Sequence, residues 1–488
     1  MNNEIRIIDP NSLWNNFTNL NFVPRPSKRE EKVIDFLIQF AEKLNLKYYK
    51  DRIGNLIIKK PSTEDMNNCK TIVLQSHVDM VHEKNNDVDF DFDSSGIEMY
   101  IDGDWVKAKG TTLGADNGLG VASIMSILQS NNISHPEIEA LFTIDEETGM
   151  TGALNLDNNA LEGEILLNLD TEEDDEICIG CAGGVDITIN KSYTTENNNN
   201  SKNTFIKILI NGLTGGHSGA EIHKGLGNSN KILISLLNDL NCKYKIRISE
   251  FVGGNLRNAI PRESFSVIQI QTDDYSDIDQ EITNFFNLNK IKYNNLDSNF
   301  NISLFDVDGE FKVLTSDDHQ KFIECIDACP NGVFTMSKTI DNLVETSNNL
   351  ANIVLKDEDV LIKCLTRSSV ENSKNELSSL ITNIFKNEDF NVKLSGGYPG
   401  WEPNVNSEIL SVAVKCYKNL NNESPKVNVI HAGLECGIIG SHYPNMEMIS
   451  FGPTILGAHS PDEKASISST KKFWNFLIEI LKNIPHKT

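Results

Sequence analysis

Four aliphatic stretches of this 488-residue chain are each followed closely by side chains able to ligate a metal. TIVLQ (Thr71 to Gln75) leads into SHVDM, which places His77 and Asp79 just past it. IEALFTI (Ile138 to Ile144) leads to Glu146 and Glu147, EILLNL (Glu164 to Leu169) leads to Asp170, and MEMISFGPTILGA leads to His459. Asp116, in the loop GTTLGADNGLG, would join them. In open α/β sheets, sites assemble at the carboxyl ends of strands, so groups far apart in sequence can converge there. Imidazoles and carboxylates without thiolates suit two zinc-like divalent ions that share one carboxylate and lie about 3.5–4 Å apart. Each group alone also has a structural use: a lone histidine packs in a core, an acidic run makes a solvated turn, and an aspartate caps a helix. Their joint placement after strands is what favours the metal reading.

The elements that must position these groups have their own signals. Ser27 and Glu30 have capping-box spacing, and Val33, Phe36, Leu37, Phe40, Ala41 and Leu44 recur at helical spacing after them, which predicts a first amphipathic helix. IGNLIIK (Ile53 to Lys59) and the stretches above read as strands, with a helix from Gly118 to Gln129 among them. Near-continuous apolar strands alternating with helices imply an α/β fold around a mostly parallel, buried sheet. The polar run TTENNNNSKN (Thr194 to Asn203) cannot bury apolar surface and reads as a loop or junction. Beyond it, NLRNAIP at Asn255 and NLANIVL at Asn349 are alike. Each precedes a strand-like run (FSVIQIQT, VLIKCLTR) and a polar helix-like segment. This predicts a duplicated α+β unit of split βαβ type. The α/β texture returns near Phe390 and ends in an amphipathic helix around Phe473 to Ile484. The expected blocks are therefore 1–190, an insertion at 204–388, and 389–488.

Composition narrows the partners. With 69 Asp and Glu against 44 Lys and Arg, the formal charge of −25 repels phosphate backbones and anionic lipid, so no nucleic acid and no membrane partner is expected. No apolar run approaches the roughly 20 residues needed to span a bilayer, and the N-terminal residues lack a signal-peptide pattern, so a cytoplasmic location is expected. Nine scattered cysteines in so long a chain read as reduced thiols. Cys178 and Cys181 form a CxxC that no second pair follows, so packing is its expected role.

SHVDMV, GTTLGADNGLGVA, FTIDEETGMTGA, LNLDTE, GLTGGHSG, NAIPRE, HAGLECG and SFGPTILGAHSP resemble, in order and over nearly the whole chain, the zinc aminoacyl-histidine dipeptidases, also called cytosol non-specific dipeptidases. These belong to the co-catalytic zinc superfamily with carnosinases, peptidase T and aminoacylases. The resemblance implies a parallel-sheet catalytic domain (1–190 and 389–488) interrupted by a lid domain (204–388). It implies His77, Glu147, Asp170 and His459 as terminal ligands of two divalent ions, expected to be zinc, with Asp116 bridging them. Which terminal ligand serves which ion stays open. It implies further that Asp79 orients His77, that Glu146 is the general base, and that His217 in GGHSG donates to the oxyanion. Arg367 in CLTRSS and Asn258 in RNAIP would hold the free carboxylate of a short peptide, which a guanidinium fits with its bidentate fork. The expected activity is hydrolysis of dipeptides, Xaa-His included, by a monomer or homodimer. The alternatives are an amidohydrolase acting on N-acyl amino acids and an inactive protein that kept the fold for binding.

Overall fold

The computed structural model describes residues 3–197, 202–293, 295–309 and 311–487, so part of the expected Asn-rich junction lies outside the described residues. Contacts divide the chain into two units. The first comprises Met1–Gly180, Trp401–Val429 and Leu434–Thr488, and the second Cys181–Gly400 and Ile430–Gly433.

In the first unit the chain lays down β1 (Lys47–Lys50), β2 (Leu56–Lys60), β3 (Ile72–His77), β4 (Ile138–Thr143), β5 (Ile165–Asn168) and β6 (Glu176–Cys181). It then builds the second unit from β7 (Gly183–Ser192), β8 (Asn203–Asn211), β9 (Arg247–Gly253), β10 (Ser264–Gln271), β11 (Asn301–Asp306), β12 (Val344–Lys356), β13 (Asp359–Ser368) and β14 (Asn391–Tyr398). β15 (Lys426–Ile430) and β16 (Glu447–Ser450) close the main sheet of the first unit. Among the described residues that sheet runs β1-β2-β4-β3-β5-β16-β6-β15. Its middle strands β4, β3, β5 and β16 are mutually parallel, while β1, β2 and β6 join antiparallel. Every residue of β3, β4 and β5 is buried, as the unbroken aliphatic runs require of strands covered on both faces.

Helix α1 (Asn11–Asn21) packs on α3 (Ala115–Gln129), which is buried along nearly its whole length and lies on β3. α2 (Glu31–Lys43) buries Val33, Ile34, Leu37 and Ala41. The capping box expected before it does not form. Glu30 is itself the N-cap residue, and its carboxylate accepts the N–H groups of Lys28 and Asp145 instead, while the Ser27 hydroxyl donates to the Met80 carbonyl. Cys178 and Cys181 are buried in β6, where their odd spacing sends them to opposite faces.

The second unit is built on one antiparallel sheet ordered β11-β8-β10-β9-β12-β13-β7-β14. Its first half is β8, α4 (Ser229–Lys243), β9, β10, α5 (Tyr275–Tyr293), β11. The second half is β7, α6 (Ser316–Ala328), β12, β13, α7 (Glu371–Lys386), β14. Counting strands along each half, both read 4-1-3-2 from the outer edge inward, and the second strands of the two halves pair as β9 with β12. This is the duplicated split βαβ arrangement, with the first half threaded between β7 and α6 of the second. One continuous apolar core, from Ile187 on β7 to Phe385 and Phe390 around α7, serves both halves. The unit bounds differ from the sequence blocks at each end. β7 reads as the tail of the first block and β14 as the start of the third, yet each completes a ladder of this second sheet.

Candidate functional site

In the first unit, three of the parallel strands deliver their side chains to one place. His77 is the last residue of β3, Asp79 lies two residues on, the turn Asp145-Glu146-Glu147 follows β4, and Asp170 follows β5. Asp116 enters from the start of α3 and His459 from the loop after the short strand Ile455–Leu456. His77 Nε2 lies 3.1 Å from Asp116 Oδ1 and 3.3 Å from Asp170 Oδ1. The other Asp116 oxygen is 3.2 Å from His459 Nε2, which is 2.9 Å from Glu147 Oε2. Four groups of metal-type donors have their atoms within 4.8 Å of one another among the described residues: His77/Asp116/Asp170 and Asp116/Glu147/His459, which share Asp116, and besides them His77/Glu146/Glu147 and Glu30/Asp79/Asp145.

The donors fit a pair of divalent cations. Three carboxylates and two imidazoles converge in the two sets that share Asp116, and sulfur is absent from both. Hydrogen bonds between these carboxylates and His459 push its imidazole up to about 11. Asp79 lies behind His77, with its Oδ1 3.3 Å from Nδ1, which leaves Nε2 facing Asp116 and Asp170. A carboxylate in that position fixes the ring orientation of an imidazole ligand.

Backbone contacts hold this constellation. Asp79 accepts the N–H groups of Glu146 (3.1 Å) and Glu147 (3.3 Å), and Glu30 accepts that of Asp145 (3.2 Å). Three successive amides of the turn are thereby fixed by two buried carboxylates. Glu463 accepts four more, from Leu113, Gly114, Ala115 and Asp116, at 2.7–3.2 Å, and so anchors the approach to α3 that carries Asp116. Arg25, buried, donates to the carbonyls of Val78, Asp79 and Gly114. One layer below the ligands, hydrogen bonds run through Thr143, Gln75, Asn168 and Ser450 on adjacent strands, with Glu435 accepting from Gln75 and Thr143 at 2.6 Å each. Burial pushes the Glu435 carboxyl up to about 8. The shift of Glu146 has the same direction: burial, with Asp170, Glu435 and Glu147 close by, raises its carboxyl well above the usual range, the direction that suits a proton acceptor working near neutrality.

The second unit carries a site of opposite character. His217 accepts the N–H groups of Gly219 (3.2 Å) and Ala220 (2.9 Å) at Nδ1, so the proton of the neutral ring sits on Nε2. Burial and the Arg367 guanidinium lower its pKa, which keeps it neutral. A β-carbon on Gly219 would stand 3.1 Å from His217 Cε1 and 3.2 Å from Arg367 Nε, so the glycine lets both groups approach one point. Arg367 is 6% exposed, and its Nε has no acceptor among the described residues. Asn258 immediately precedes Ala259, the residue that pairs with His217 on a short two-stranded ladder; its carbonyl accepts the Ser218 N–H at 2.8 Å, and the residue is exposed.

Sequence reasoning singled out every group named at the two centres except the supports. Glu463 gave no signal, and Glu435, which stands in HAGLECG, gave none of its role, because their partners stand roughly 300 residues or more away in the chain. Glu30 gave a misleading one.

A parallel sheet core with imidazoles and carboxylates at its strand ends, interrupted by a doubled α+β unit, defines a metallohydrolase of the α/β class. Residues 73–483 match the model of peptidase family M20/M25/M40, and the chain belongs to that family. It is 40% identical over 484 residues to the cytosol non-specific dipeptidase of Escherichia coli strain K12, covering 99% of this chain and 100% of that protein. The crystal structure of an aminoacylhistidine dipeptidase from Vibrio alginolyticus superposes with a TM-score of 0.95 at 40% identity, covering 99% of each chain. The aminopeptidase PepT of Bacillus cereus shares the fold, with a TM-score of 0.57 at 17% identity, covering 98% of this chain and 99% of that one.

Proposed function

We propose that this protein is a cytoplasmic metallo-dipeptidase that hydrolyses dipeptides, Xaa-His dipeptides among them, with two divalent ions, expected to be zinc. The observation that carries this reading is the pair of donor sets joined at Asp116. The names of the relatives from Escherichia coli and Vibrio alginolyticus support the substrate class. No helix among the described residues is long and apolar enough to cross a membrane, which agrees with that location.

His77 with Asp170, and Glu147 with His459, would form the two ends of the site, with Asp116 common to both and Asp79 orienting His77. Such ions, when bound, make water acidic enough to ionise near neutral pH and polarise a carbonyl. Glu146 accepts the proton of the attacking water and returns it to the leaving amine. The Nε2–H of His217 donates to the oxygen on which charge develops. Arg367, with Asn258 beside it in the role, pairs with the free carboxylate of a short peptide.

The test is hydrolysis of Xaa-His dipeptides and of N-acyl amino acids by purified protein, before and after chelation. Turnover of dipeptides alone, abolished by the chelator and restored by zinc, is the expected result. Preference for N-acyl amino acids, or full activity after chelation, would overturn the reading.

A further inference from the structure

Arg367 stands on β13 directly across from Gly184 on β7, and Gly184 in turn stands across from Tyr398 on β14. The three residues form one row over adjacent strands, and the middle one has no side chain. Tyr398 lies over that gap: a β-carbon on Gly184 would meet Cε1, Cζ and Oη of the phenol at 2.8 Å. The missing side chain is thus what brings the phenol within reach of the guanidinium, and Arg367 Nη1 donates to Tyr398 Oη at 2.9 Å. The strand end is held as well, since buried Lys374 donates to the Tyr398 carbonyl at 2.6 Å.

Donors and acceptors in this row do not balance. Oη receives a hydrogen bond from Arg367, so the phenol proton is directed elsewhere, and no acceptor for it is found among the described residues. Arg367 Nε is buried with no acceptor either. Asp186, the carboxylate on the same strand as Gly184, is engaged by Arg257, whose Nε lies 3.1 Å from its Oδ2. A buried guanidinium N–H and a phenolic O–H left over side by side call for an anion with two oxygens.

We propose that Tyr398 is a specificity-determining residue that donates, alongside Arg367, to the C-terminal carboxylate of the dipeptide. The proposal rests on the reading of Arg367 as the carboxylate-binding residue. Guanidinium and phenol then each satisfy one carboxylate oxygen, whereas a C-terminal amide keeps a single acceptor oxygen, carries no charge and turns an NH2 donor toward the other.

Tyr398→Phe keeps the ring over Gly184 and removes only the hydroxyl. It is expected to raise KM for dipeptides by about tenfold, the size of one charge-assisted hydrogen bond, with kcat and metal content held and dipeptide amides unaffected. The same substitution in an Arg367→Ala background is expected to cost the acid substrate again, because the phenol makes its own contact. Gly184→Ala, whose methyl group displaces the phenol, should reproduce the loss if its melting temperature stays near that of the parent. Equal losses for acid and amide in Tyr398→Phe, or no further loss in the Arg367→Ala background, would overturn the proposal and leave Tyr398 a packing or positioning group. If Arg367→Ala itself penalises acid and amide equally, it is the underlying reading of Arg367 that fails.

Discussion

The two units solve opposite electrostatic problems. The strand ends of the first collect Asp116, Glu147, Asp170 and two imidazoles, a surplus of acceptors that calls for cations. The row on β13, β7 and β14 of the second leaves donors over, at Arg367 Nε and the Tyr398 hydroxyl, which calls for an anion. Their construction differs too. Parallel strands end together, so a few residues after each strand suffice to gather the acceptors, whereas the row of donors needs three strands in register and a glycine in the middle.

The sharpest way to break this comparison is within the acceptor-rich site. Glu146→Ala should reduce turnover by at least about a hundredfold while metal stays bound, since it removes a base and no ligand. Glu147→Ala should lose metal as well. Equal metal loss in both, measured by elemental analysis, would mean that the neighbouring glutamates have the reverse roles. On the donor-rich side, Arg367→Ala should lower kcat/KM for dipeptides about ten- to a hundredfold, in line with a charge-assisted pair of about 1.5–3 kcal/mol. Dipeptide amides should lose little. Steady-state kinetics on both substrates decide this, and equal losses would assign Arg367 to holding its own unit together.

A smaller effect is expected at Glu30, which touches the base turn only through the Asp145 N–H. Glu30→Ala should reduce kcat about tenfold with KM and metal content unchanged, and Glu30→Gln, which keeps an acceptor oxygen, should restore most of it. Loss of metal in Glu30→Ala would show that the contact supports the ligands and not the base.

Glu30 also shows how far the sequence could be read. Its spacing from Ser27 is that of a capping box, but its carboxylate turns to an amide 115 residues away. Local spacing carried the central strands, whose unbroken aliphatic runs admit few other structures, and the helix from Gly118, because regular φ/ψ sets in just after Asp116 and Asn117. The candidate ligands His77, Glu147 and Asp170 were legible because they stand at a strand end or a few residues past it, whereas Asp116 stands at the start of a helix. Glu463, Arg25, Glu435 and Tyr398 were not, since each acts through contacts that only the assembled sheets create. The bounds of the insertion were misjudged for the same reason: nothing local tells which of two sheets β7 or β14 will join.

The last expected effect concerns stability in the second unit. His319 is buried, accepts the Ile248 N–H at Nδ1 (3.2 Å), and pairs through Nε2 with Asn241 (2.9 Å). Burial, with Arg247 nearby, lowers its pKa to about 4. The folded state therefore favours the neutral ring, and the stability this contributes is present above about pH 6.5 and is lost as pH falls toward 4, on the order of 3 kcal/mol in all. Denaturant midpoints at pH 7 and pH 4.5 should fall further for the parent than for His319→Gln. Equal falls would remove His319 from the acid response.

Metal content tests the division between the two sites most directly. Elemental analysis of the purified chain should find about two divalent ions per chain in the parent and in Arg367→Ala, and a loss from both donor sets in Asp116→Ala, because they share that carboxylate. Two ions retained in Asp116→Ala, or active parent protein with none, would contradict it.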